Sequence, residues 1–305
     1  MHFEALAEGL QFPEGPIAMD DGSIVLVEIQ RQTLTRVSSG GDKDIVAHLG
    51  GGPNGAAIGP DGHVYVCNNG GLMWHELPGG YISSPGASDD WNGGSIQRVN
   101  LVTGSVETLY EECNGKLLRA PNDIVFDQSG GFWFTDLGKH IDDWRYLGAL
   151  CYAKADGSGI VRAKFPMQSP NGIGLSPDGR TLYAAETLTS RLWAFDIEAP
   201  GVLAPPKDLR PGRLVKTLTD YQLIDSLAVQ ANGSVCLATL FRGGINVVNP
   251  SNGSTRYVDV PDEILVTNLC FGGADMRDAY ITCSGRGRLL KARWPTAGLR
   301  LNHNA

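Results

Sequence analysis

The chain has 305 residues, 42% of them apolar, and a formal net charge of −8 at neutral pH. This acidic balance argues against a nucleic-acid-binding protein, because phosphates attract a basic surface. The sequence contains no run of 18 or more apolar residues, so we expect no membrane span. The start, MHFEALAEGLQFPEG, lacks the basic and apolar regions of a signal peptide, and none is expected.

The glycine, proline and cysteine content indicates the fold class and the cellular compartment. The 40 Gly and 17 Pro residues predict many tight turns rather than long helices. The six Cys residues lack zinc-ligand spacing and most lie in strand-like runs, so we expect buried thiols. This usage fits a protein of the reducing cytoplasm.

One short pattern recurs six times along the chain. A polar residue opens an apolar run, a turn dipeptide follows seven and eight residues later, and a strand-like return run comes next. Five of the six turns have Gly as their second residue, which is typical of tight turns. Each unit is therefore predicted to begin with a β-hairpin. The six polar residues are Glu14, Asn54, Asn122, Asn171, Asp225 and Asn268.

Further strand-like runs follow most hairpins. In chain order they are TLTRVSS and DIVAHL, SIQRVN and VETLYEE, ALCYAKA, RLWAFDI and RLVKTL, and INVVNP and TRYVDV. This makes about four strands per unit. The residues at the two termini together make one more unit, so the N-terminal run HFEALA is predicted to complete the last one. We therefore predict an all-β fold, a six-bladed β-propeller of antiparallel blades that forms one domain over residues 1–305.

In a propeller the first strand of every blade lines the central channel. The six polar residues are therefore predicted to converge at one mouth of that channel, although they lie far apart in sequence. The return strands end on the same face and bring a second set of side chains to it. This predicted outer ring consists of Glu28, Asn68, Asp136, Glu186 and Thr239.

The predicted inner ring offers two carboxylates and four amides. Such hard oxygen donors suit Ca²⁺ or Mg²⁺, and an ion with open positions would act as a Lewis acid. Two alternatives remain open. Asx residues before strands often satisfy only the turn backbone, which is the role expected for Asn268. The ring could also hold a structural calcium without catalysis.

Other chemistries find little support in the sequence. It contains no G-x-S-x-G or P-loop motif. The six His residues are dispersed, and His140, which follows the third return strand, is predicted to face the mouth.

The longest spacing between units holds an insert, residues 70–94, which we call the lid segment. It leaves a return strand on the mouth face and is predicted to cover the mouth. Its Trp74, His75, Tyr81 and Trp91 could form a partly apolar wall, or the aromatic residues could pack on the rim. The loop 137–147 adds further charged and aromatic residues, which include Lys139, His140, Asp142 and Arg145.

The E-G-P opening, the PND and PNG strand starts, and the FTD and TNLCFGG segments resemble a known family. It is the family of senescence marker protein, gluconolactonase and luciferin-regenerating enzyme, and the likeness covers nearly the whole chain. The resemblance implies a six-bladed propeller that hydrolyses lactones with one divalent metal ion. Ca²⁺ is the first expectation, with Mg²⁺, Mn²⁺ and Zn²⁺ as alternatives.

The resemblance also implies roles for individual residues. Glu14, Asn171 and Asp225 match the family's metal ligands, and Asn122 matches a metal ligand or a substrate contact, depending on the member. The family's Asp, here Asp225, is also a proposed general base, or a nucleophile in the more distant diisopropyl fluorophosphatase. Sugar-lactone members have a substrate-binding Arg two residues before the N-D motif. Here Arg119 stands three before it, which leaves the sugar-acid preference open.

The expected reaction is the opening of a small lactone to its hydroxy acid. A phosphotriesterase or fluorophosphatase on the same metal site and a noncatalytic interaction propeller are the alternatives. An aromatic or other non-sugar lactone is conceivable, because cations of the 137–147 loop could bind a substrate carboxylate. The oligomeric state stays open. The candidate substrate contacts are Asn54, Asn68, Trp74, His75, Arg119, Asp136 and His140.

Overall fold

The computed structural model describes residues 1–141 and 143–303. Asp142 of the predicted mouth loop therefore lies outside the described residues. Six antiparallel sheets follow one another along the chain, and each forms one blade of a propeller. The predicted six-bladed, all-β architecture is confirmed.

Each blade runs from an innermost strand at the channel to an outermost strand at the rim. In that order, blade 1 consists of Pro13–Ala18, Ile24–Glu28, Thr33–Val37 and Lys43–His48. Blade 2 consists of Pro53–Ile58, Val64–Asn68, Ser95–Val99 and Val106–Tyr110. Blade 3 consists of Pro121–Phe126, Gly131–Asp136, Gly148–Lys154 and Ile160–Met167.

The second half of the chain repeats the arrangement. Blade 4 consists of Pro170–Leu175, Thr181–Glu186, Arg191–Ala199 and Arg213–Thr217, with the short strand Val202–Leu203 also paired to the third. Blade 5 consists of Leu223–Val229, Val235–Leu240, Gly244–Val248 and Thr255–Asp259. Blade 6 consists of Val266–Gly272, Asp278–Cys283, Arg288–Arg293 and the N-terminal strand Phe3–Ala7.

The N-terminal strand closes the propeller as predicted. Phe3–Ala7 pairs antiparallel with Arg288–Arg293 and so becomes the outermost strand of the last blade. The first and last segments of the chain are thereby joined by backbone hydrogen bonds, which a closed ring of blades requires.

Apolar side chains fill the spaces between neighbouring blades. Six clusters of buried residues follow the ring, and each takes members from two adjacent blades. Between blades 2 and 3, for example, the Tyr65 ring packs 5.0 Å from Phe126 and 5.7 Å from Phe132, measured between ring centroids. The second strands are buried almost throughout, which explains their strong apolar runs in the sequence.

Shorter elements add to the blades. Three small hairpins are formed by His75–Leu77 with Tyr81–Ser83, Glu112–Cys113 with Lys116–Leu117, and Lys139–Ile141 with Trp144–Tyr146. The outermost strand of blade 3, Ile160–Met167, was not predicted, because exposed polar residues interrupt its apolar pattern. Within residues 1–141 and 143–303, no helix is long and apolar enough to cross a membrane. The Cys residues are free thiols, and five of the six are buried.

Every innermost strand breaks its register with the second strand beside its polar ring residue. In blade 1, for instance, the pairing is interrupted between Glu14 and Ile17. Bulges of this kind re-aim a side chain and often lie next to active sites. The repeated irregularity therefore frees the ring residues from regular strand pairing.

The channel continues below the ring as a cavity of about 100 Å³. Asp123 and Asn268 line its mouth end, and the C-terminal residues 299–303 contribute to the opposite end. There the Asn302 amide donates to the Phe126 carbonyl oxygen at 3.0 Å. The C-terminal segment therefore closes the channel on the face opposite the mouth.

Candidate active site

The six residues of the predicted inner ring all lie in the first half of an innermost strand, at the same end of the channel. Five of them are buried and Asp225 is partly exposed. Buried strand positions are usually apolar, so this end of the channel is unusual in its concentration of polar side chains. The ring consists of Glu14, Asn54, Asn122, Asn171, Asp225 and Asn268.

Blades 4 and 5 meet through Asn171 and Asp225. The side-chain amide of Asn171 donates to Asp225 Oδ1. The Ser226 hydroxyl donates to Asn171 Oδ1 at 3.4 Å. Two of the four predicted metal ligands are therefore in direct contact, although 54 residues separate them.

Blades 6 and 1 meet through Asn268 and Glu14. Glu14 Oε2 accepts hydrogen bonds from the Asn268 amide and from the Gly15 backbone N–H, both at 2.8 Å. Asn268 Oδ1 accepts the Leu269 backbone N–H at 2.8 Å, as the turn-satisfying role predicts. Asn268 therefore does more than satisfy its own backbone, because it also orients the Glu14 carboxylate.

The sequence reasoning missed Asp123, the second residue of the N-D motif. Its side chain is buried in the channel, where its carboxylate accepts the backbone N–H groups of Ile124 at 2.9 Å and Ile173 at 3.3 Å. Burial and the nearby Glu14 charge raise the pKa of Asp123 to about 8. The only sequence signal for it was its place beside Asn122.

Electrostatics at the ring suit a divalent cation. Burial raises the pKa of Glu14, and burial together with the Glu14 charge raises the pKa of Asp225 well above its ordinary value. Asn122 Oδ1 is buried and has no hydrogen-bond partner among the described residues. Crowded carboxylates and an unsatisfied amide oxygen are hard donors that a Ca²⁺-type ion would satisfy.

The possible metal ligands of the inner ring include both carboxylates and amides. Across the described ranges, no group of three or more His, Cys, Asp and Glu side chains is arranged to hold a metal ion. The fit to a cation therefore depends on the two amides, Asn122 and Asn171, as much as on the two carboxylates, Glu14 and Asp225.

Glycines after three ring residues let neighbouring innermost strands approach closely. A Cβ atom on Gly15 would lie 2.6 Å from the Asn54 carbonyl oxygen, and one on Gly55 would lie 2.4 Å from the Asn122 carbonyl oxygen. A Cβ atom on Gly172 would lie 2.5 Å from the Leu227 nitrogen. The E-G-P and P-N-G motifs therefore combine a ring side chain with the tight spacing of the channel wall.

Side chains of the predicted outer ring hold the loops that enter their own blades. Asp136 accepts the backbone N–H groups of Arg119 at 2.9 Å, Ala120 at 2.8 Å and Gly138 at 3.2 Å. Asn68 Oδ1 accepts two backbone N–H groups in the same way. This arrangement favours a structural role for Asn68 and Asp136 over the substrate contact predicted from the sequence.

The lid segment lies across the mouth face. Its Trp74 packs on Phe12 of blade 1, with ring centroids 5.0 Å apart. Its Tyr81 hydroxyl donates to the Asp262 carbonyl oxygen at 2.7 Å, and the Arg286 guanidinium lies 4.4 Å from the Tyr81 ring centroid. The lid segment leaves blade 2 and reaches blades 1 and 6, so its aromatic residues act mainly as anchors.

The blade 3 hairpin closes the next sector of the mouth. Buried Lys139 donates to the carbonyl oxygens of Asn69 at 3.1 Å and Gly71 at 2.9 Å, at the base of the lid segment. The Arg119 guanidinium lies 4.1 Å from the Tyr146 ring centroid.

Two histidines among the candidate contacts, His75 and His140, are exposed. His75 lies on the hairpin of the lid segment, and His140 lies on the blade 3 hairpin. Neither touches the inner ring through a hydrogen bond among the described residues.

Known proteins resemble this chain over most of its length. A gluconolactonase of Zymomonas mobilis is 24% identical over 296 residues, which cover 88% of this chain and 75% of that protein. The lactonase drp35 of Staphylococcus saprophyticus is 25% identical over 260 residues, covering 85% and 72%. The solved structure of a gluconolactonase from Xanthomonas campestris superposes with a TM-score of 0.75 at 22% identity, covering 96% of this chain and 89% of that one.

The sequence model described as the SMP-30/Gluconolactonase/LRE-like region matches residues 12–285. That span runs from the loop before Glu14 into the turn after the second strand of blade 6, so it contains all six ring residues. The resemblance read from the short motifs is confirmed, and the chain belongs to the SMP-30/gluconolactonase/LRE-like family.

Proposed function

We propose that this protein hydrolyses a lactone to its hydroxy acid at the mouth of the channel. The observation that carries the proposal is the convergence of Glu14, Asn122, Asn171 and Asp225 from four different blades. Relatives named gluconolactonase and lactonase support the reaction class. A divalent cation, Ca²⁺ in first place, is part of the proposal.

Glu14, Asn122, Asn171 and Asp225 would hold the cation through their side-chain oxygens. The cation, when bound, supplies a Lewis acid that polarises the lactone carbonyl group and stabilises negative charge on its oxygen. Glu14 is kept in place for this role by its bonds to Asn268 and Gly15.

Asp225 is proposed as the general base. Its carboxylate accepts a proton from the attacking water while the water oxygen bonds to the carbonyl carbon. The bond between that carbon and the ring oxygen then breaks, and the ring oxygen takes the proton held by Asp225 to become the hydroxyl group, which restores the carboxylate. Asn171 holds the Asp225 carboxylate in position through its side-chain amide.

Substrate recognition would come from the mouth. Asn54 of the ring, Arg119 beside Tyr146, and the exposed His75 and His140 are proposed contacts. Trp74 would contribute indirectly, because its packing on the blade 1 loop fixes the lid segment.

The test is lactone hydrolysis by metal-free protein, to which Ca²⁺, Mg²⁺, Mn²⁺ or Zn²⁺ is added singly. We expect turnover that the metal restores and that Glu14→Gln and Asp225→Asn both lower by at least about a hundredfold. Glu4→Gln, an exposed carboxylate on the outermost strand of blade 6, is the matched control. Absence of turnover on every lactone with every metal would refute the proposal.

A further inference from the structure

Two aromatic side chains are stacked and exposed at the mouth end of blade 5. Tyr221 lies just before the innermost strand, and Phe241 directly follows the second strand. Their ring centroids are 5.8 Å apart and their planes differ by 23°. Tyr221 is 79% exposed and Phe241 is 49% exposed. The two side chains, which we call the aromatic pair, present an apolar surface to solvent at the mouth.

The backbone at the aromatic pair adopts an uncommon conformation. Asp220, Tyr221 and Phe241 have φ angles of 64°, 52° and 69°, in the left-handed region that favours glycine. Bulky residues rarely occupy this region unless the surrounding structure holds them there. Strain of this kind concentrates at functional sites and ligand clamps.

The conformation is held by buried Gln222. Its side-chain amide donates to the Thr219 carbonyl oxygen at 2.8 Å, and its Oε1 accepts from the Asn246 amide at 2.8 Å. Its own carbonyl oxygen accepts the Ser190 hydroxyl at 2.6 Å, which links the loop to blade 4. The backbone of the loop that carries Tyr221 is therefore held in place before any ligand binds, which lowers the entropic cost of binding.

The aromatic pair lies at the same end of blade 5 as Asp225 of the proposed active site. Tyr221 precedes Asp225 by four residues, and a strand rises about 3.3 Å per residue, so the two lie within about 13 Å along the chain. A lactone ring at Asp225 is smaller than this upper limit. A flat substituent on the ring would extend towards the aromatic pair.

We propose that the substrate is a lactone that carries a flat apolar substituent, which stacks on Tyr221 and Phe241. The inference rests on the proposed lactonase function and names the substrate class of the same site. Stacked aromatic contacts add binding energy beyond the apolar area that they bury. Tyr221 and Phe241 would then be specificity-determining residues, whereas the inner ring performs the chemistry.

The first test compares γ-phenyl-γ-butyrolactone with unsubstituted γ-butyrolactone. In the wild-type protein we expect kcat/KM to be about tenfold higher for the phenyl lactone. In Tyr221→Ala and Phe241→Ala the ratio of the two values should fall to about one. Phe165→Ala is the matched control, because Phe165 is 52% exposed but lies on the outermost strand of blade 3. The ratio should persist in this variant.

The second test measures binding without turnover. The corresponding phenyl-substituted and unsubstituted γ-lactams, which resist hydrolysis, are titrated by calorimetry. We expect about tenfold tighter binding of the phenyl lactam, a preference that Tyr221→Ala abolishes. If the lactam preference holds but no lactone is hydrolysed, stacking is supported and the lactonase function fails. If lactones are hydrolysed but wild type shows no preference for the phenyl compounds, or Tyr221→Ala keeps the wild-type preference, the stacking proposal fails and the function stands.

Discussion

The side-chain amide of Asn268 donates a hydrogen bond to Glu14 Oε2 at 2.8 Å, although 254 residues separate them. Asn268 belongs to the last blade and Glu14 to the first, so this bond lies where the ring of blades closes. Closure by the N-terminal strand therefore also brings together two members of the inner ring, one of them a proposed metal ligand.

We expect Asn268→Ala to weaken Ca²⁺ binding by about tenfold to a hundredfold. A hydrogen bond to a charged group contributes about 1.5–3 kcal/mol, and its loss leaves the Glu14 carboxylate less well oriented. Calorimetric titration of metal-free protein measures the change. Asn302→Ala removes an amide at the opposite end of the channel and should leave Ca²⁺ affinity unchanged. Equal affinities in wild type and Asn268→Ala would contradict this role.

Asp136→Ala should lower the free energy of unfolding by about 3 kcal/mol, because three backbone N–H groups lose their acceptor. Urea denaturation followed by circular dichroism measures the loss. The folded fraction should keep a KM for lactone close to that of wild type. A raised KM with unchanged stability would instead support the substrate contact predicted from the sequence.

Gly172→Ala should destabilise the protein by about 1–3 kcal/mol, as overpacked substitutions do. The added Cβ atom would lie 2.5 Å from the Leu227 nitrogen, so the innermost strands of blades 4 and 5 would have to separate. Gly40→Ala is the control, because its Cβ atom would approach only Ser38 Oγ, at 3.7 Å. Equal midpoints of thermal unfolding for the two variants would contradict the idea that position 172 requires glycine because the two strands approach closely.

Lys139 predicts a pH dependence of stability. Burial lowers the pKa of Lys139 from 10.5 to about 8, so the unfolded chain binds more protons between these two values. The free energy of unfolding therefore rises with pH across this window. Below about pH 8 the buried Lys139 is itself protonated, and the full cost of burying its charge applies.

Lys139→Met removes the titrating group and keeps an apolar chain. The unfolding free energy of wild type relative to this variant should increase by about 1 kcal/mol between about pH 7 and about pH 9. Denaturant titrations at the two pH values measure it. A difference that is constant or falls with pH would show that Lys139 titrates near its ordinary value.

The repeated hairpin pattern was enough to predict the blades, because alternation and turn residues act over a few residues. The order of strands within each blade and closure by the N-terminal strand followed from the same pattern. The outermost strand of blade 3 escaped prediction, since it is half exposed and carries little apolar periodicity. Irregular hairpins in long loops, such as Lys139–Ile141 with Trp144–Tyr146, left no recognisable local signal either.

For the candidate site, the ring positions could be predicted because a carboxylate or amide residue recurs at one place in every repeat. The roles of individual members could not. Asn268 looked like a simple strand-start residue, yet it orients a carboxylate of another blade. Asp136 looked like a mouth residue available to substrate, yet backbone N–H groups use both of its oxygens.

The amino-acid sequence by itself determined the fold, the six ring positions and the family, because each depends on short-range patterns repeated along the chain. Tertiary structure alone decided which side chains touch. Asp123 of blade 3 accepts the Ile173 backbone N–H of the neighbouring blade 4, and Tyr221 stacks on Phe241 from another segment of blade 5. The physical reason is that burial, charge coupling and stacking depend on distances between separate strands, and local sequence patterns do not encode those distances.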